Sequence, residues 1–329
     1  MFGQSYDGAA NMAGIRNGVQ ANIQKEYPSA IYMHCVSHCL NLTISKGSNV
    51  SAISNAFNTI SKIISMFRNS AKKSHAFEET VNALYPNLKR TVLPQLSDTR
   101  WVERHESVLS FCKLFNAMAT TLQDISTWQN DTSAADAISY LAAISRSEFS
   151  IALMTLKHVL GITKVVSVAL QGPQMELTGA IEHVGIIKSV LQDWRNGSGS
   201  GCYSQIVHEA KEIVGELSID RLPGTQRGRR TGPTDPLDFY RQTIFIPYLD
   251  YVINDLTDRF NSHMTQAMKI IKLIPSYIHS NSVTIEEIKE AAAPFVNLLP
   301  EDGENLVSEF EVWQKQWLQE NSKSAQKPL

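Results

Sequence analysis

The sequence predicts an α+β fold that is predominantly helical, and three observations predict it. The chain opens on a strand signal, a helix signal and a second strand signal. From Asn41 onward apolar residues recur at three- and four-residue spacing, the period of a helix with one buried face. Two late Ser/Thr-x-x-Glu pairs have the spacing of a capping box, in which two side chains satisfy orphan N–H groups reciprocally.

Residues 1–8 read as a strand end running into an Asp7-Gly8 turn. Residues 11–26 read as one helix ending at Tyr27-Pro28, and residues 30–35 as a short buried strand. Val50, Ile53, Phe57, Ile60, Ile64 and Phe67 form the stripe of a long helix. Trp101, Val108, Cys112, Phe115, Met118 and Leu122 resume it after a break at residues 94–100. Leu177, Ile181, Val184, Ile187, Val190 and Trp194 mark another helix. A further one runs over residues 239–260, with a kink or boundary expected at Pro247, which lacks a backbone donor. Thr284-x-x-Glu287 and Ser308-x-x-Glu311 are the two capping signals. Residues 196–201, Asn-Gly-Ser-Gly-Ser-Gly, read as flexible and as the break in a helical hairpin. Residues 221–236 read as a long mobile loop carrying Arg221, Arg227, Arg229 and Arg230.

Composition narrows the function classes. The chain has 329 residues, 43% of them hydrophobic, enough for one large core or two smaller ones. Lys plus Arg is 30 and Asp plus Glu is 32, a formal charge of −2. That balance argues against non-specific coating of nucleic acid but leaves a local basic face open. Four cysteines do not make a disulfide scaffold, which points to a reducing, intracellular setting. No apolar run approaches the ~20 residues a bilayer needs, so no membrane partner is expected. The chain has no nucleophile elbow, P-loop, Gly-rich dinucleotide fingerprint or His-Glu-x-x-His pair.

A few residues could carry chemistry. A carboxylate at a strand end, as at Asp7, can hold a hard divalent ion, although Asp-Gly also simply makes a turn. His34-Cys35-Val36-Ser37-His38-Cys39 holds a Cys-x-x-His pair of zinc-ligand type, but a structural zinc site needs four ligands and Cys112 and Cys202 stand alone. The other reading of His38 is a packed histidine at a strand–helix junction. Asp98-Thr99-Arg100-Trp101 opens a helix, with Asp98 a candidate cap and Trp101 a core anchor. Arg100 and Trp101 together also suit an unstacked nucleotide. The arginine loop could contact phosphate or could be a solvated loop. Trp313 and Trp317, four apart, suit a core or an interface.

Several of these motifs occur together in one known family. Residues 3–14, Gly-Gln-Ser-Tyr-Asp-Gly-Ala-Ala-Asn-Met-Ala-Gly, resemble the signature of hAT-superfamily transposases. His34 to Leu42 and then Thr99-Arg100-Trp101 follow in the family's order. The closest likeness is to a transposase-derived group that includes the zinc finger MYM-type proteins and the repressors of the inhibitor of the protein kinase. The resemblance implies a partial ribonuclease H-like core over residues 1–48, then a large helical insertion region over 49–329 with its basic loop at 221–236. It implies DNA as partner, a nuclear location, and Mg²⁺ or Mn²⁺ held by three acids in the complete family protein, since two metals suit phosphoryl transfer. On this likeness Asp7 matches the second acid and a metal ligand, while Cys35 and His38 match the family's Cys-x-x-His near the scissile phosphate. Trp101 matches an aromatic that stacks on a flipped base, with Arg100, Arg227, Arg229 and Arg230 as further DNA contacts.

The family's first acid, third acid, amino-terminal zinc finger and dimerisation region have no counterpart in this sequence. The expectation is therefore a piece lacking both ends, catalytically incomplete, binding no metal alone, with any homo-oligomer formed through the missing region. Its amino-terminal sheet is expected to have an exposed edge and marginal packing. Two other functions compete with this one. A domesticated helical scaffold would bind proteins and never DNA. A separate metal-dependent nuclease would use Asp7 with other acids. A basic face joining Lys72, Lys73, Arg100 and the Arg221 loop would favour DNA.

Overall fold

A computed structural model describes residues 3–35, 50–88, 93–94, 101–129, 132–170, 177–214, 235–262, 269 and 283–324. The chain falls into two compact units, each discontinuous in sequence. The first joins Met1–Cys39, Gln174–Glu182 and Thr257–Leu329; the second joins Leu40–Pro173 and His183–Leu256. No helix among the described residues is long and apolar enough to cross a membrane.

The first unit opens with β1 (Gly3–Tyr6), α1 (Ala10–Ala13), α2 (Val19–Glu26) and β2 (Ile31–His34). The strands pair in parallel, from Gly3 opposite Ile31 to Tyr6 opposite His34. Among the described residues this is a two-stranded sheet, which by itself does not make the ribonuclease H-like core expected from the resemblance. The single helix expected over residues 11–26 is two helices. Gly14 and Gly18 are the reason: a Cβ on Gly14 would lie 2.4 Å from the Ala10 carbonyl oxygen, and one on Gly18 would lie 2.4 Å from the Gly14 nitrogen. Only glycine lets the backbone approach itself so closely. Gln4 is buried, and its Nε2 donates to the carbonyls of Gln20 (3.2 Å) and Ala30 (3.4 Å), tying β1 to α2 and to the start of β2.

The described secondary-structure elements of the second unit are all helices. It begins with α3 (Ser51–Arg68) and α4 (Ala71–Leu84), followed by α5 (Trp101–Lys113) and α6 (Phe115–Ile125). Next come α7 (Ser133–Ile144), α8 (Ser147–Leu170) and α9 (Leu177–Arg195), of which residues 183–195 belong here. The expected stripe on α3 is present: Ile53, Ile60, Ile64 and Phe67 are buried, and the Phe67 ring stacks on Phe77 of α4 at 4.7 Å. The run from Trp101 to Leu122 is split at Leu114, whose φ of −104° and ψ of 14° lie outside the helix, yet the stripe continues into α6 through Phe115, Met118 and Leu122.

Helix α8 is the hub, packing against α3, α5 and α7 and against α10 (Tyr203–Val214). Its amino-terminal half is buried all round, with Ile151, Ala152, Leu153, Met154 and Leu156 fully enclosed, as an apolar helix surrounded by others must be. Its buried hydroxyls bond back to their own helix, as Thr155 does to the Ile151 carbonyl at 2.7 Å.

Residues 196–201, expected to be flexible, form an ordered turn fitted to Trp194. The Ser198 N–H donates to the Asp193 carbonyl at 2.8 Å. A Cβ on Gly201 would lie 2.4 Å from the indole. The glycines make room for a ring that is 5% exposed.

The unit ends in α11 (Pro236–Tyr240), a π turn (Arg241–Phe245) and α12 (Ile246–Ser262), which runs past the boundary after Leu256. Pro247 produces the expected irregularity, but just upstream of itself. The Ile246 N–H reaches back five residues to the Arg241 carbonyl, so the ladder is widened before the residue that cannot donate.

The first unit then contains α13 (Ile285–Ala292), two short 3₁₀ turns (Ala293–Leu298 and Pro300–Gly303) and α14 (Leu306–Ser324). Thr284 and Glu287 form the full capping box. Ser308 does not cap: α14 already starts at Leu306, which puts Ser308 inside the first turn. Ile288 and Phe310 pack together with Val283, Leu306 and Trp313 around them. Trp313 stands edge-on to Trp317 at 6.4 Å, and Trp317 is 37% exposed.

Candidate functional site

The parallel pairing of β1 and β2 places Asp7 and Cys35 one residue beyond the ends of neighbouring strands. The Cys35 N–H donates to the Tyr6 carbonyl at 2.9 Å, which extends the ladder past His34. The two residues therefore lie side by side at the carboxyl edge, where parallel sheets present their ligand-binding groups. Asp7 is exposed, and its Oδ1 accepts the Ala9 N–H at 3.1 Å. This closes a local turn that sets the start of α1, because the N-cap Ala9 has no side chain to do so. The turn reading and the ligand reading of Asp7 are thus compatible, since the second oxygen remains available. A hard divalent ion would take that oxygen, but the soft Cys35 sulfur is not its ligand. Among the described residues no group of three His, Cys, Asp or Glu side chains comes together to hold a metal ion.

His38 lies outside the described residues, as do Cys39, Arg100, Arg227, Arg229 and Arg230. Trp101 is the first residue of α5; its side chain also lies outside them. Of the basic face joining Lys72, Lys73, Arg100 and the Arg221 loop, only the two lysines can be placed. Both are on the first turn of α4. Lys72 sits over the Trp128 ring, 3.7 Å from its centroid, a cation–π contact that fixes its ammonium.

Cys112 and Cys202 have opposite characters. Burial pushes the Cys112 thiol up to about 12, which leaves it an inert thiol in the core. Cys202 is partly exposed, and its Sγ lies 3.1 Å from Ser204 Oγ. That hydrogen bond leads the influences that lower its pKa.

One constellation escaped the sequence reading. Glu209 on α10 meets Lys157 and His158 on α8: Oε2 lies 2.6 Å from Lys157 Nζ, and Oε1 lies 2.9 Å from His158 Nε2. Gln205 Nε2 donates to the same Oε1 at 3.1 Å. The His158 ring also stands edge-on to Trp194 at 6.0 Å. Burial alone would raise the Glu209 pKa, but the donors from Lys157, Gln205 and His158 outweigh it and bring it down to about 2. The signal in the sequence is the polar pair Lys157-His158 inside the otherwise apolar run of α8. The partner is about fifty residues away, which no periodicity reveals.

No family profile matches the chain, and no solved structure matches it. The curated proteins that resemble it along most of its length include two named 52 kDa repressor of the inhibitor of the protein kinase. The human protein is 25% identical and the mouse protein 23% identical, each over 96% of this chain. The chain spans 42% and 43% of the lengths of these two relatives.

Proposed function

We propose that the chain is part of a transposase-derived protein of the hAT superfamily, that it binds nucleic acid, and that by itself it does not cut it. The observation that carries this reading is the strand pair that sets Asp7 beside Cys35 at the carboxyl edge of a parallel sheet. The first unit, which gathers residues from both ends of the chain and is interrupted in sequence by the helical unit, supports it as well. That arrangement is what a core interrupted by a large insertion requires. The similarity to the human and mouse repressors is consistent with a domesticated descendant. On this reading Asp7 is one ligand of a two-metal site, and one carboxylate does not hold two metals. Cys35 and His38 lie near the phosphate, Trp101 stacks on a base, and Arg100, Arg227, Arg229 and Arg230 contact the backbone. The assembly works in the nucleus.

Fluorescence anisotropy of the full chain with labelled duplex and single-stranded DNA, across a salt series, tests the binding. The expected result is binding that weakens steeply with salt, because phosphate contacts release counterions. No binding of either DNA at low salt sinks the proposal and leaves a protein-binding scaffold. Incubation of supercoiled plasmid with Mg²⁺ or Mn²⁺ tests the second half. The plasmid is expected to stay intact; nicking that disappears in Asp7→Asn overturns the assignment of a non-cutting chain.

A further inference from the structure

We infer that the groove between α3 and α7 in the helical unit is a binding track for a short single-stranded nucleic-acid segment. Two cavities of about 310 and 280 Å³ lie along α3 and share Lys62 as a common wall. Small side chains create them. Ser61, Ser65 and Ser70 leave the first open, and Ala52, Ala56 and Ala143 form part of the second. Met66 and Phe149 also line them, but hydroxyl, amide and charged side chains make up most of the walls, which does not suit a hydrophobic helix.

Its charge selects the ligand. Lys73 lines the first cavity and Arg146 the second, with Lys62 between them. Among the described residues none of these three cations has an ion-pair partner, whereas Lys157, Lys164 and Arg195 of the same unit are paired with Glu209, Glu106 and Asp250. Asp136 and Glu148 lie in the walls too, so the three cations exceed the carboxylates by one. Tyr140 supplies a partly exposed aromatic face in the cavity that holds Lys62 and Lys73. Cations that follow a backbone, with an aromatic ring for a base, are what sequence-tolerant single-strand binding needs. A duplex keeps its bases stacked inside and away from the ring, and an acidic peptide has no use for it.

This inference rests on the nucleic-acid reading above and refines it to a strand type and a place. The test is anisotropy of the full chain with a fluorescein-labelled oligothymidylate of about ten nucleotides and with a duplex of similar length. Lys62→Gln/Lys73→Gln, and separately Tyr140→Ala, are compared with Lys113→Gln/Lys188→Gln, a pair outside the groove; circular dichroism verifies that each is folded. The groove lysine pair is expected to weaken oligothymidylate binding at least about tenfold and to flatten the log–log salt slope by about 1.4, which is 0.7 for each lost phosphate contact. Tyr140→Ala is expected to weaken it at least about fivefold at unchanged slope. If the wild type binds DNA and the groove variants match the control pair, the groove is wrong and the nucleic-acid reading stands. If the wild type binds neither DNA, both fall. Tighter capture of oligoglutamate than of oligothymidylate, lost in the same lysine pair, assigns the groove to acidic peptide and overturns the inference.

Discussion

Replacing Glu209 by Gln tests whether one charge network holds α10 on α8. The carboxylate accepts from Lys157, His158 and Gln205 at 2.6 to 3.1 Å. Gln keeps the shape and one acceptor and removes the charge. The folded carboxyl titrates at about 2 instead of 4.5. A depressed pKa means that the unfolded chain takes up the proton more readily. The stabilisation is therefore complete above pH 4.5 and is lost as the pH falls towards 2. At about 1.36 kcal/mol per pH unit, that difference corresponds to an upper value of about 3.4 kcal/mol. The Glu209 side chain is 15% exposed and Lys157 is 32% exposed, so water screens part of the attraction. An effect of about 1–2 kcal/mol is expected near neutral pH. Urea unfolding followed by far-ultraviolet circular dichroism, from pH 7 down to pH 2.5, measures it for both proteins. Glu209→Gln should unfold at lower urea at pH 7, and the gap should shrink steadily below pH 4.5. A gap that stays constant with pH would refute the electrostatic account and leave lost packing as the cause. No gap at all would show that the network contributes nothing net.

Two glycine substitutions should act with opposite sign. Gly201→Ala drives a methyl to 2.4 Å from the Trp194 ring, an overpacking expected to cost about 1–3 kcal/mol and to shift the tryptophan emission as the indole moves. Gly185→Ala, inside α9 with nothing within 4 Å of the new methyl, should stabilise by about 0.5–1 kcal/mol in the same urea assay. Thr284→Ala removes the side chain that accepts the Glu287 N–H at 3.3 Å. Hydrogen exchange should then quicken at the first turn of α13, corresponding to about 1 kcal/mol, while amides of the helical unit keep their wild-type rates.

What could be read from the sequence was what depends on neighbours a few residues away. The stripe on α3, the capping box at Thr284 and the strand–helix–strand opening all follow from spacings of two to four residues, and all are present. Ser308 fails for an equally local reason: its Glu spacing is right, but Leu306 and Val307 extend the helix upstream, so the hydroxyl has no end to cap. The glycines mislead by composition. Residues 14–18 looked compatible with one helix and residues 196–201 with free chain, yet in each case the missing Cβ accommodates a close approach, to backbone in the first and to an indole in the second. Composition records how many glycines there are, not what lies opposite them.

The candidate sites divide along the same line. Asp7 stood out at a strand end and Cys35 through its Cys-x-x-His spacing, and the parallel register then sets them side by side. Glu209, Lys157 and His158 did not, because α8 and α10 meet through a fold that brings distant segments together. The groove was hidden most deeply. Its small residues come from more than one element, Ser61, Ser65 and the buried Ala52 and Ala56 from α3 and Ala143 from α7, and only the spacing between packed helices turns their small size into a cavity. A groove built from absent side-chain volume is a property of the helix pair. For that reason the arginine loop, conspicuous in the sequence, and the Lys62 groove, invisible there, stand as independent claims about where the strand runs, and the groove-lysine variants test the second without touching the first.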